Sequence, residues 1–257
     1  MTDKNQLNKI LKELGEKTPL IHNITNYVVM NNTANALLAI GASPVMAHAT
    51  EEVEEITSIS SALVINMGTL SPKWVEAMEM AMLKANALNK PIVFDPVGVG
   101  ASKYRTESAL KMIQSYRPSV IRGNASEIRA LAKLSSSTKG VDSTESSESA
   151  LHAAQELSKK MDNTVVISGA IDYIITGELI DKVTSGSSMM SKVTGMGCTA
   201  TSIIGACVAV DTNYHSASYT AMEIMGEAGK TAEKISKGTG SFQTNFIDAL
   251  YQIAENG

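Results

Sequence analysis

The 257-residue chain has only two cysteines, Cys198 and Cys207, and that scarcity excludes a disulfide framework. The two stand on one expected helix, too far apart along an axis that rises about 1.5 Å per residue for a bridge to form. They read as free thiols in a reducing compartment. An excess of positive charge is also missing: 22 Lys and Arg face 26 Asp and Glu, for a formal net charge of −4. No basic run or aromatic-interleaved basic patch occurs, which excludes nucleic acid and anionic membrane as partners. No apolar stretch approaches the roughly 18 to 20 residues of a membrane span. The opening MTDKNQLNKILKELGEK is charged and helical without an apolar signal core, so a cytoplasmic location is expected. The four histidines are scattered, with no His-x-x-x-His or Cys-x-x-Cys spacing that would make a zinc site. Of these, His152 and His215 read as surface helix residues, and His22 and His48 as pocket-lining candidates. Repeats of 20 to 50 residues are absent.

What is present is alternation. SPVMA (43–47), ALVIN (62–66), PIVFD (91–95), SVIRG (119–123), TVVIS (164–168) and DYIIT (172–176) are short, apolar and β-branched, as strands covered on both faces are. Between them NYVVMNNTANALLAIG, SPKWVEAMEMAMLKANALN, TESALKMIQSY and ESALHAAQELSKKM have the length and period of helices. Short strand and long helix in repetition predict an α/β fold whose central sheet is mostly parallel, with helices on both faces. DYIITGELIDKVTSG reads as a hairpin turning at Gly177, an antiparallel edge, and the chain beyond Val183 is mostly helix. The serine-rich stretch 133–149 reads as an exposed loop rather than a linker, because the alternation resumes beyond it. One domain over 1–257 is expected.

Ligands of such sheets gather at the carboxyl ends of the strands. Four of these ends are polar. In IVFDPVGVGAS, Asp95 could orient a metal-bound phosphate or merely cap a glycine turn. In SVIRGNASEIRAL, Arg122 and Glu127 could hold phosphate and hydrated magnesium. Asn124 and Glu127 also have the spacing of a capping box, in which Glu127 only reaches back to the cap. Ser168 could donate to a phosphate oxygen or form an ordinary turn. The fourth is VTGMGCTATSIIGACVAV, where Gly195 and Gly197 bare the backbone before a helix whose first N–H groups have no partners, making a site for an anion. Cys198 lies in the same positive field, which should lower its pKa and favour the thiolate. Cys207, deeper in the helix, reads as a buried packing residue.

PLIHNITNYVVMNNTANALLAIGASPVMAHATEE, VFDPVGVGAS, IRGNASEI and VTGMGCTATSIIGA, in this order and at these separations, closely resemble the hydroxyethylthiazole kinase family, over almost the whole chain. The resemblance implies the three-layer ribokinase-like fold and transfer of the ATP γ-phosphoryl group to the hydroxyl of 4-methyl-5-(2-hydroxyethyl)thiazole in thiamine salvage. It implies a Mg²⁺ cofactor, and a homotrimer with thiazole sites between subunits. By position, Met46 resembles the residue that packs the thiazole, Gly195 its backbone contact, and Asn26 a pocket-lining neighbour. Arg122 and Ser168 match ATP contacts, the latter often Thr in the family, while Asp95 and Glu127 match the magnesium-organising acids. Gly195 and Gly197 would form the anion hole. Cys198 stands where most ribokinase-like enzymes carry Asp, so a thiol would take the base's place with a modest role.

Three rivals remain at this level. One keeps the fold but changes the substrate, as a hydroxymethylpyrimidine or pyridoxal kinase or a dehydratase of damaged nicotinamide cofactors. Another is a hydrolase or acyltransferase with Cys198 as nucleophile. The last is a regulatory protein with a decayed kinase site.

Overall fold

The computed structural model describes residues 4–135 and 147–257. Most of the serine-rich stretch, 136–146, lies outside the described residues; the residues flanking it are helical, not loop.

Strands β1 (Leu20–Ile24), β2 (Ser43–Val45), β3 (Ala62–Asn66), β4 (Ile92–Asp95), β5 (Val120–Asn124), β6 (Thr164–Ser168), β7 (Asp172–Thr176) and β8 (Leu179–Val183) form one sheet in the order β2-β1-β3-β4-β5-β6-β7-β8. The first six in sequence pair in parallel, and the β7–β8 hairpin is the expected antiparallel edge. Helices α1 (Lys4–Lys17), α2 (Met30–Ala39), α8 (Met196–Val210), α9 (Tyr214–Ile235) and α10 (Thr239–Glu255) cover one face. The other face carries α3 (Val53–Ile59), α4 (Pro72–Ala87), α5 (Lys103–Ser115), α6 (Ala125–Ser135) and α7 (Ser147–Met161).

The sheet makes two cores because side chains alternate along a strand. In β3, Ala62 and Val64 enter the core beneath α8, while Leu63 and Ile65 enter the core beneath α4. β4 and β5 divide in the same way: Val93 and Val120 go to the α8 side, Ile92, Phe94 and Ile121 to the other. Continuing the alternation sends Asn66, Asp95 and Arg122 toward α8. The register puts Asn66 opposite Asp95, and Val93 and Phe94 opposite Val120 and Ile121, so Arg122 follows level with Asp95. A polar row thus crosses the carboxyl ends of three neighbouring strands.

Two elements escaped the sequence reading. β1, LIHNI, has His22 and Asn23 at its centre, which breaks the apolar run, yet both are fully buried. Each is satisfied internally: His22 bonds Thr57 Oγ1 (3.0 Å) and the Ala47 carbonyl (2.8 Å), and Asn23 accepts from Ser202 Oγ (2.8 Å). His22 therefore joins β1 to α3 instead of lining a pocket. The other element, α3, has only seven residues, too few for its period to register. His215 also corrects an expectation. Instead of lying on the surface, it is buried at the start of α9, with Nδ1 on Thr176 Oγ1 (2.9 Å) and Nε2 on Asp181 (3.0 Å).

Candidate active site

Helix α8 is buried on every side from Thr199 to Val208, and its amino end meets the polar row. Gly195 is the N-cap residue, with φ of 86°. A side chain there would be strained by that backbone conformation and would also place a Cβ 2.7 Å from Val29 Cγ1. The first helical bond runs from Thr199 N–H to the Gly195 carbonyl (2.8 Å). No carbonyl among the described residues accepts from the N–H groups of Met196, Gly197 or Cys198, as expected of a first helical turn. Gly197 lies directly beneath the Arg122 guanidinium: a Cβ built on it would fall 2.6 Å from Nη1. The arginine expected to share an anion with the helix start therefore packs on the bare Cα of Gly197, where any side chain would displace it.

Asp95 anchors the arrangement. One of its carboxylate oxygens, Oδ2, accepts from Thr201 Oγ1 (2.6 Å), Asn66 Nδ2 (3.1 Å) and Arg122 Nη1 (3.4 Å). The other, Oδ1, is buried without a donor, and the Nε–H of Arg122 is buried without an acceptor. Burial pushes the Asp95 carboxyl up to about 6, against the pull of Arg122 and the Thr201 hydroxyl. Arg122 also donates through Nη2 to Ser168 Oγ, which joins Ser168 to the row.

Asn66 and Thr201 are contributors that the sequence reading missed. Asn66 Oδ1 accepts from Asn26 Nδ2 (2.8 Å) and the Gly68 N–H (3.0 Å), while its amide reaches Asp95. The available signal was its place as the last residue of ALVIN, level with the Asp ending the next strand.

Cys198 sits in the first turn of α8, with Asn26 Nδ2 3.5 Å from its sulfur. The expected lowering of its pKa does not hold. Burial, followed by the charge of Asp95, pushes the thiol up, although Asn66, Asn26 and Arg122 pull the other way. Its hydrogen-bonding neighbours are amides rather than a histidine, which removes the base a nucleophilic-cysteine enzyme needs. Cys207 is fully buried in α8, as expected.

Glu127 forms the capping box. Its Oε2 accepts from Asn124 N–H (2.9 Å), and Asn124 Oδ1 accepts from Glu127 N–H (2.9 Å). Its Oε1 accepts from Gly98 N–H (2.9 Å), tying α6 to the loop that follows Asp95. No cluster of three or more metal-type side chains occurs among the described residues, so a closed protein cage for a metal is ruled out there. An open site for a cation that also takes phosphate and water fits better, because Oδ1 of Asp95 is an unclaimed buried acceptor beside Glu127. Met46 follows β2 on the same edge of the sheet, beyond β1.

A mostly parallel, doubly covered sheet, with unpaired helix-start amides and an arginine–carboxylate pair at its carboxyl edge, is the architecture of the ribokinase-like fold, and the relatives that match the chain are kinases. A ribokinase-like superfamily protein from Enterococcus faecalis shares that fold, with a TM-score of 0.71 at 13% identity over 99% of this chain and 94% of its own. A model of the hydroxyethylthiazole kinase family matches residues 11–256. Among relatives, the hydroxyethylthiazole kinase of Leptospira biflexa serovar Patoc is 52% identical over 243 residues, 95% of this chain and 91% of the relative. The structure of the hydroxyethylthiazole kinase protein from Pyrococcus horikoshii OT3 superposes with a TM-score of 0.89 at 42% identity, covering 96% of this chain and 93% of that one. The chain belongs to the hydroxyethylthiazole kinase family.

Proposed function

We propose that this chain transfers the γ-phosphoryl group of ATP to the hydroxyl of 4-methyl-5-(2-hydroxyethyl)thiazole, yielding the phosphate ester in thiamine salvage. The observation that carries the reading is the set of unpaired amides of Met196, Gly197 and Cys198 at the start of α8, with the Arg122 guanidinium packed so closely on Gly197 that a Cβ there would lie 2.6 Å from Nη1. Phosphoryl transfer asks little covalent chemistry of the protein, so positioning and charge stabilisation dominate. Donors fixed in a water-poor site do this without reorganising as the charge moves. The amide cup would hold the moving phosphoryl group, and Arg122, steadied by Asp95 and Ser168, would offset charge on its oxygens. Asn26, Met46 and Gly195 would line the thiazole side. Cys198 would border the acceptor hydroxyl as a neutral thiol, since its raised pKa suits it poorly to act as a base.

Mg²⁺ would be held by Asp95 through Oδ1 and, through bound water, by Glu127, whose oxygens each already take a backbone N–H. The ion would supply charge neutralisation at the phosphates. We extend the reading to a homotrimer with thiazole sites between subunits. Its support is that Tyr27 and Val28, next to Asn26, are 64% and 63% exposed in the isolated chain, adjacent large hydrophobic side chains that a neighbouring subunit would cover. A single domain over 1–257 and a cytoplasmic location complete it; no helix among the described residues is long and apolar enough to cross a membrane.

The test is incubation with MgATP and the thiazole alcohol, with mass-spectrometric detection of the phosphate ester and light scattering for the assembly. Turnover of hydroxymethylpyrimidine or pyridoxal instead, or no phosphate ester with the thiazole present, would overturn the substrate assignment.

A further inference from the structure

Arg105, on the first turns of α5, sends its guanidinium to backbone rather than to an acid. Nη1 donates to the Met67 carbonyl and to the Val97 carbonyl (2.9 Å), and Nη2 donates to the Gly68 carbonyl. No carboxylate among the described residues pairs with it. Its acceptors belong to two separate loops, one leaving β3 just after Asn66 and one leaving β4 two residues after Asp95. A planar fork can satisfy several carbonyls at fixed angles, which a lysine ammonium cannot copy.

Each loop supports a different side of the active site. Gly68 packs against Asn26, so closely that a Cβ on it would lie 2.4 Å from that side chain, and its N–H donates to Asn66. Tyr27 N–H reaches across to Thr69 Oγ1 (3.1 Å). Gly98 donates its N–H to Glu127, has φ of 75°, and has its would-be Cβ 3.2 Å from Arg105 Cδ. The first loop therefore backs the acceptor side, and the second backs the acids.

We infer that Arg105 is a positioning residue for phosphoryl transfer: its guanidinium locks the Met67–Gly68 and Val97–Gly98 loops together, fixing Asn26 and Asn66 relative to Asp95 and Glu127. It touches neither substrate nor the reacting atoms. The inference rests on the kinase reading above. A group misplaced by about 1 Å can cost two orders of magnitude in rate, and the loss falls on kcat when ground-state binding survives.

The experiment compares wild type with Arg105→Lys and Arg105→Ala well below their unfolding temperatures. In Arg105→Lys, kcat is expected to fall about tenfold while KM for the thiazole alcohol moves less than about twofold. Guanidinium at about 10 mM, far below denaturing levels, should recover part of the kcat of Arg105→Ala, as an occupant of the vacated cavity would. Hydrogen exchange read on ligand-free protein should speed up in residues 66–69 and 96–100 of Arg105→Lys, and not elsewhere. An Arg105→Lys enzyme with wild-type kcat, or with unchanged exchange in both loops, overturns the inference even if Arg105→Ala does not fold. Failure of wild type to phosphorylate the thiazole would sink the kinase reading instead, and the exchange measurement would still decide the clamp.

Discussion

Two polar clusters lie at opposite ends of the same sheet, and they differ in what is left over. At the end where β6 begins, Thr164 Oγ1, Thr176 Oγ1, His215 and Asp181 form one continuous chain: 2.9 Å between the hydroxyls, 2.9 Å to Nδ1, and 3.0 Å from Nε2 to the carboxylate. None of their side-chain atoms is buried without a partner. At the carboxyl end three donors crowd one oxygen of Asp95, while its other oxygen has no donor and the Nε–H of Arg122 no acceptor. A closed network fastens structure, here the hairpin to α9. An open one is costly in the free protein and becomes complete only with a ligand.

The sharpest way to break this contrast is Arg122→Gln. Loss of the charge over the amide cup should lower kcat by about 10² to 10³-fold in a coupled ATP assay; a loss under tenfold would place Arg122 outside the reaction. Gly197→Ala comes next. Its methyl would displace the guanidinium, which sits at the end of a flexible side chain, so kcat/KM for ATP should fall about tenfold with little change in melting temperature. A parallel drop in melting temperature would show that the fold, and not the arginine, had given way.

His215→Gln tests the closed cluster. It should leave turnover unchanged and cost about 1 to 2 kcal/mol in urea unfolding, the usual penalty for unpairing buried hydrogen bonds. A loss of activity would erase the distinction between the two ends.

The other buried histidine, His22, gives a smaller, pH-dependent effect. Burial lowers the His22 pKa below 6.5, outweighing its bond to the Ala47 carbonyl. The unfolded chain then binds the proton first, so His22's contribution is complete above about 6.5 and declines as pH falls, by at most about 1.4 kcal/mol per unit. Asp95 acts in the opposite sense: its pKa is raised from 3.8 to about 6, so its stabilising contribution belongs to low pH and is lost as pH rises through about 6. The two oppose each other in wild type. Subtracting the pH profile of His22→Gln isolates the histidine, and a flat difference from pH 7 to 5 would contradict its burial as a neutral ring. The smallest change is expected from Cys198→Asp, which should keep or raise turnover; abolished activity would point to an obligatory thiol or to steric disruption.

Arg122, Ser168, Asp95, Gly195 and Gly197 were legible because each lies at the carboxyl end of a recognisable strand or at the start of a recognisable helix, and the structure brings all five together. Asn66 and Thr201 were not, since an Asn ending an apolar run and a Thr inside a buried helix look like ordinary packing until register aligns them with Asp95. Glu127 was ambiguous in sequence, and the capping bonds that made it so are present. His22 and His215 were misplaced for one shared reason: a histidine's burial depends on partners contributed by distant segments, Thr57 and Ala47 for one, Thr176 and Asp181 for the other.

By itself the sequence determined the layered α/β architecture, the hairpin edge and the amide cup, because these follow from local periods and from glycines at a helix start. Only the tertiary structure decided which way each side chain at a strand end points, which oxygen of Asp95 stays unpaired, and that the Cys198 thiol is raised and not activated. Those outcomes depend on the register between strands and on burial by α8, and neither is encoded within any one segment.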